Sequence, residues 1–209
     1  MIDKFLSARV IPIVVIDNPS NAIPLADALL TGGMKVIEVT LRTPQALEAI
    51  RKIIKERPEM TVVAGTVLNT EEARECLNVG VQIAVSPGFD LELSQWSAKH
   101  GLQLIPGVAS ASEIMAAAKA EHKLLKFFPA KALGGIPALA AMCTPFAKLD
   151  LHFLPTGGLS LADVPEVLSH PFIAAMGGTW IAPFKDISTG NWKEITARAS
   201  EVVQITSSY

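Results

Sequence analysis

Lys126 has the most chemistry to offer of any residue in this sequence. It follows Leu124 and Leu125 and precedes Phe127, Phe128 and Pro129, so its amine is expected in an apolar setting. Desolvation disfavours an ammonium ion, and a neutral amine can add to a ketone and form an imine. The plainer account is a lysine whose stem packs while its head reaches water. Glu38 and Thr40 share one face of an extended segment, with Val39 on the other. A carboxylate flanked by Ile37, Val39 and Leu41 is costly to bury without a partner; in an apolar pocket, a carboxyl group can exchange protons near neutral pH. Arg42 carries a planar fork that suits a substrate carboxylate. Its structural alternative is an ion pair with Glu38 at the rim of the fold.

Two glycine pairs, Gly157-Gly158 and Gly177-Gly178, follow apolar runs late in the chain. Glycine lets a backbone approach an anion closely and present its amide hydrogens, and Thr179 adds a hydroxyl. Tight turns are the simpler use of the same residues. His100, His122, His152 and His170 form no metal-binding constellation and read as structural. Cys76 and Cys143 have no metal or redox spacing and read as reduced packing residues. No metal or cofactor is therefore expected, and stabilising a carbanion would fall to the lysine.

These residues need a scaffold that brings them together. Short β-branched or aliphatic runs recur at 10–16, 36–40, 61–66, 82–86, 103–106, 124–127, 151–155 and 172–176. Their near-continuous hydrophobicity implies parallel strands buried on both faces. Between them stand helix signals: capping boxes at Ser110–Glu113 and Ser160–Asp163, and Pro44 behind a Thr43 cap. Gly32, Gly33 and Gly101 stand where helices should end. The last segment puts Trp192, Ile195, Ala199, Val202 and Val203 on one helical face. Eight strands alternating with helices predict a parallel eight-stranded (β/α)₈ TIM barrel, as one domain over residues 1–209. The rival, a doubly wound open sheet, usually has a glycine-rich turn after its first strand; here that strand runs into Asp17-Asn18-Pro19-Ser20. Barrel sites lie at the C-terminal ends of strands, and Glu38, Thr66, Pro87, Lys126, Thr156 and both glycine pairs fall at such ends.

Composition narrows the function classes. Half of the 209 residues are hydrophobic, 18% are charged, and the net charge is −2, which suits one large core and excludes a disordered chain. No basic block points to nucleic acid. No apolar run is long enough to span a bilayer, and the first residues lack a signal peptide's pattern, so the expected location is the cytoplasm.

Taken in order, these segments resemble the 2-keto-3-deoxy-6-phosphogluconate (KDPG) aldolase family, also known for 4-hydroxy-2-oxoglutarate (KHG) aldolase activity. The matching stretches are 37–43, 64–69, 86–88, 105–107, 126–130, 155–158 and 177–180. The resemblance implies a homotrimeric barrel without a metal, acting on a ketoacid, phosphorylated in the KDPG case. It makes Lys126 the imine-forming lysine and Glu38 the proton shuttle. Arg42, Thr66, Pro87, Phe128 and Thr156 would surround the ketoacid end; Gly157, Gly158, Gly178 and Thr179 would hold the phosphate. Two residues depart from the family's pattern. Thr179 stands where serine is common, and Lys131 where glutamate is frequent. Two other functions fit part of the pattern: a phosphosugar epimerase or isomerase using Glu38 as base without a covalent lysine, and a non-catalytic phosphate sensor.

Overall fold

The computed structural model describes residues 2–208. The chain opens with α1 (Ile2–Leu6) and then alternates strands and helices. In order these are β1 (Val10–Val14), α2 (Ala22–Thr31), β2 (Val36–Thr40), α3 (Ala46–Glu56), β3 (Thr61–Gly65), α4 (Thr70–Asn78), β4 (Ile83–Val85) and α5 (Leu91–His100). There follow β5 (Gln103–Ile105), β6 (Gly107–Val108), α6 (Ala111–Lys119), β7 (Leu124–Phe127), α7 (Gly135–Cys143), β8 (His152–Pro155), α8 (Val164–Ser169), β9 (Met176–Gly178), α9 (Phe184–Thr189) and α10 (Trp192–Thr206).

Among the described residues the strands form two parallel sheets, one ordered β5-β4-β3-β2-β1-β9 and the other β6-β7-β8. Two features join them. Parallel bridges Phe153↔Ile173 and Thr156↔Gly177 link β8 to the segment containing β9. On the other side, β5 and β6 are separated only by Pro106, whose carbonyl still accepts from the Lys126 amide at 2.9 Å. Proline has no N–H to give a ladder, which divides the single run expected at 103–106 into two short strands. The eighth run also differs from expectation: the regular strand is Met176–Gly178 rather than 172–176. The earlier residues still bond to β8, the Phe153 amide donating to Phe172 O at 2.8 Å and the Ala174 amide to Phe153 O at 3.0 Å, but Ala174 O accepts from Arg9 Nη1 at 2.8 Å.

Alternation along the strands sorts the apolar residues into two clusters. Val10, Val14, Ile37, Val39, Ala64, Leu125, Phe127 and Phe153 join the large cluster shared with the helices. Ile11, Val36, Val63, Ile83, Val85, Ile105, Leu154 and Ala175 form a second cluster, and Phe5 of α1 completes it. Phe5 is fully buried. Lying just ahead of β1, it fills this cluster from the N-terminal ends of the strands, leaving their C-terminal ends for polar residues.

Local signals position the helices. Asn69, Asp90 and Ser110 cap α4, α5 and α6 through side-chain acceptors. Glu113 reaches back to the Ala109 amide at 2.7 Å, and Ser160 with Asp163 makes a complete capping box. Thr43 does not cap α3 as expected; its hydroxyl donates to Ile16 O at 2.5 Å, tying the loop after β2 to the end of β1. Gly101 ends α5 in a left-handed conformation. Ile195, Ala199 and Val202 form the buried face of α10.

The histidines lie away from the C-terminal strand ends. His122 shares a 2.6 Å hydrogen bond with Ser94; burial holds its ring below the ordinary imidazole range, opposed by a backbone hydrogen bond at Leu104. His100 ends α5, His152 begins β8 and His170 caps α8. Burial, helped by Glu72 and Glu75, pushes the Cys76 thiol up to about 12, and burial pushes Cys143 to about 11. No helix among the described residues is long and apolar enough to cross a membrane.

Candidate active site

Glu38 is the central residue of β2, fully buried on the face opposite Ile37 and Val39. Its surroundings are therefore not those its chain neighbours suggest. They are Gly65, in register with Thr40 on β3, and Lys126 of β7. A Cβ at Gly65 would stand 2.3 Å from Glu38 Oε1; only a residue without a side chain leaves the carboxylate its place. Sequence alone places Gly65 at a strand end and gives it no role. The signal was a small residue, on the strand next to a buried acid, at an inward position.

Lys126 is 6% exposed, and its Nζ stands 3.4 Å from Glu38 Oε1. The same ammonium lies 5.4 Å from the centre of the Phe128 ring, within reach of an attraction to the aromatic face. Its setting is thus apolar walls with one carboxylate. Glu38 pairs with Lys126 and not with Arg42, contrary to the rim ion pair considered from sequence. The second Glu38 oxygen, Oε2, is buried without a hydrogen-bond partner. One oxygen holds the amine while the other remains an open acceptor, and a buried acceptor so placed calls for a donor.

The other predicted residues stand at or just beyond the ends of their strands. Thr40 is buried, with its hydroxyl donating to Val14 O at 3.1 Å. Arg42 lies in the loop beyond β2 with an exposed side chain. Thr66, directly after β3, has φ +61, an uncommon left-handed conformation for a residue branched at Cβ. Pro87 lies in the bend after β4, steadied by Ser86 Oγ donating to Gly88 O at 2.7 Å. Its carbonyl presses on Gly107, where a Cβ would stand only 2.1 Å away. Phe128 follows β7 and precedes a cis peptide to Pro129. Thr156 is buried after β8 and bridges to Gly177.

The two glycine segments also converge, since Thr156 and Gly177 are paired. Gly157 and Gly158 have φ +101 and +76, a left-handed pair that other residues adopt only with strain. Gly178 is covered by the Trp180 indole, 1.5 Å from where its Cβ would be, and Thr179 beside it is exposed. Lys131 runs along Gly158 and ends 3.7 Å from Asp163 Oδ2. Burial would raise Asp163, but donors from Ser160 and the Lys131 charge hold its carboxyl below the usual range.

The site thus contains a buried amine, an adjacent carboxylate with a free oxygen, and glycine turns nearby. An arrangement of this kind can form an imine, move a proton beside it and receive an anion.

The chain is similar to known proteins along nearly its whole length. The family model for KDPG and KHG aldolase matches residues 1–198. The chain is 41% identical over 197 residues to 2-dehydro-3-deoxy-phosphogluconate aldolase of Treponema pallidum (strain Nichols), covering 94% of this chain and 93% of the relative. The fold matches the crystal structure of KDPG aldolase from Legionella pneumophila, in which pyruvate is captured at low pH as a covalent carbinolamine intermediate. That match has a TM-score of 0.90 and 40% identity, and covers 95% of this chain and 96% of that one. KDPG aldolase of Zymomonas mobilis ZM4 with 3-phosphoglycerate matches with a TM-score of 0.86 and 40% identity, over 97% of this chain and 95% of that one. By sequence along nearly its whole length and by fold, the chain belongs to the KDPG and KHG aldolase family.

Proposed function

We propose that this protein is a class I aldehyde-lyase that cleaves KDPG to pyruvate and glyceraldehyde 3-phosphate through an imine at Lys126. The observation that carries this reading is the 3.4 Å approach of a buried lysine to a buried glutamate that has an unpartnered oxygen. On this reading the neutral amine adds to the C2 ketone and gives a carbinolamine. Glu38, having taken the ammonium proton that Lys126 gave up to become a neutral amine, passes it to the departing hydroxyl, so water leaves and a protonated imine remains. That cation accepts the electron pair of the C3–C4 bond as Glu38, through Oε2, removes the C4 hydroxyl proton. Glyceraldehyde 3-phosphate departs, the enamine takes a proton at C3, and water returns to release pyruvate and the free amine. The imine is the electron sink, so no cofactor enters the route.

Arg42 orients the substrate carboxylate, while Thr66, Pro87, Phe128 and Thr156 line the ketoacid end. Gly157, Gly158, Gly178 and Thr179 hold the phosphate. Convergence of the two glycine segments through the Thr156–Gly177 bridge supports this assignment. With glyoxylate as the aldehyde product, the same steps cleave 4-hydroxy-2-oxoglutarate. The activity places the protein in the Entner–Doudoroff route of carbohydrate metabolism. The epimerase or isomerase alternative has no support among the relatives, which carry aldolase names.

The two sheets are proposed to form one closed eight-stranded barrel and one domain over residues 1–209. The bridges from β8 toward β9, and the continuity of β5 with β6 past Pro106, support closure. A homotrimer is proposed as well. Leu68, Leu91 and Met115, on three consecutive strand–helix units, are 55%, 53% and 60% exposed, apolar surface that a contact between copies would bury. Light scattering should return three times the chain mass; a monomer at working concentrations would rule the trimer out. A cytoplasmic location agrees with two free cysteines.

The chemistry is tested by incubating the protein with pyruvate and borohydride. A reduced pyruvyl adduct should appear on the peptide containing Lys126. An unmodified lysine at saturating pyruvate would end the covalent reading.

A further inference from the structure

We infer that Lys131 is a specificity-determining residue that selects phosphorylated over unphosphorylated ketoacids, an inference that rests on the aldolase reading above. Lys131 is held close to the glycine turn by its backbone. The Ala130 amide donates to Thr156 O at 2.7 Å and the Lys131 amide to Gly157 O at 3.0 Å. Its stem then lies along Gly158, where a Cβ would meet Lys131 Cβ at 2.9 Å and Cδ at 3.4 Å. A left-handed glycine is needed there both for the turn and for the passage of this side chain.

The ammonium end is available. Its side chain is 60% exposed, and its contact with Asp163 is 3.7 Å long, in the range where a pair of exposed charges contributes little. Asp163 has other donors as well. The same Oδ2 accepts from the Ser160 amide at 2.7 Å and the Ser160 hydroxyl at 2.8 Å. Turning Lys131 from Asp163 toward a bound phosphate therefore leaves no carboxylate without donors.

Charge supplies the reason for a cation here. A cleft of about 320 Å³ beside the turn is lined by Lys131, Leu159, Asp163, Glu166 and residues between them in the chain and on α7. Two carboxylates and one ammonium line this cleft. Lys131, whose stem runs along Gly158 and whose ammonium stands 3.7 Å from Asp163, screens that carboxylate from a dianion at the turn and offers its own donors to the phosphate. A ketoacid ending in a carboxylate or hydrogen near C4 does not extend to this turn and gains nothing from the charge.

The test compares wild type, Lys131→Met and Lys131→Glu on KDPG and on 4-hydroxy-2-oxoglutarate. Methionine keeps the stem against Gly158 and removes the charge. The ratio of kcat/KM for KDPG to that for 4-hydroxy-2-oxoglutarate should fall about 5- to 10-fold in Lys131→Met, through KM for KDPG, and further in Lys131→Glu. Glycerol 3-phosphate, tested as a competitor against KDPG, should lose inhibition in the same order. An unaltered ratio, or equal losses on both substrates, overturns the role of Lys131. A wild type that shows no cleavage of KDPG and no pyruvate adduct overturns the aldolase reading itself, a result separate from either.

Discussion

Lys126→Arg should lower kcat/KM for KDPG by roughly 10⁴- to 10⁶-fold, the range found when the nucleophile of a covalent catalyst is removed. That loss corresponds to about 5–8 kcal/mol of barrier. Arginine is the informative replacement because of what surrounds the amine. Glu38 is fully buried and Lys126 is its ion-pair partner at 3.4 Å. Deleting the positive charge would strand a carboxylate, a change that destabilises buried pairs by roughly 3–5 kcal/mol. A guanidinium keeps the charge and stays protonated, so it satisfies Glu38 and cannot form the imine. Lys126→Met serves as the complement, with circular dichroism to check folding. Both proteins should fail to acquire a pyruvyl adduct under borohydride. Turnover by folded Lys126→Arg within tenfold of wild type would mean that the lysine acts without a covalent bond.

Glu38→Gln should lower kcat by roughly 10²- to 10⁴-fold, as expected when one group carries the proton transfers of a reaction, with KM changed only a few-fold. Glutamine has nearly the shape of glutamate, so the space left by Gly65 stays filled. It cannot take a proton at the position of Oε2, the oxygen without a partner in the fold. The lysine remains, so the borohydride adduct should still form, though slowly. A split between surviving adduct formation and lost turnover separates proton transfer from mere support of the lysine. If Glu38→Gln turns over within fivefold of wild type, the shuttle lies on another residue or on water.

Much of this arrangement was legible before any coordinates, and the reason is periodicity. Placing Glu38 and Thr40 on one face and Val39 on the other needs only the two-residue repeat of a strand, and the two apolar clusters bear it out. The same repeat correctly separated Lys126 from Leu125 and Phe127. What could not be read locally was contact at long range. Glu38 and Lys126 are 88 residues apart, and their meeting depends on strand order and register. The apolar flank of Glu38 was therefore taken from Ile37 and Val39, which point to the other side. Strand limits failed where backbone chemistry overrode composition. Pro106 interrupted one ladder, and Gly177-Gly178, placed after the run 172–176, lies within β9. Gly177 admits Ile13 and Thr156, each 2.6 Å from where its Cβ would be.

Phe5 decides how molecules can come and go. It joins Ile11, Val36, Ile83 and Ile105 of the strands in one buried cluster, so the proposed barrel is a shaft stoppered at its foot. On the proposed reading, the pyruvate fragment stays bonded to Lys126 while the aldehyde is released. The aldehyde must clear the entrance first, and pyruvate can follow only when the way is empty.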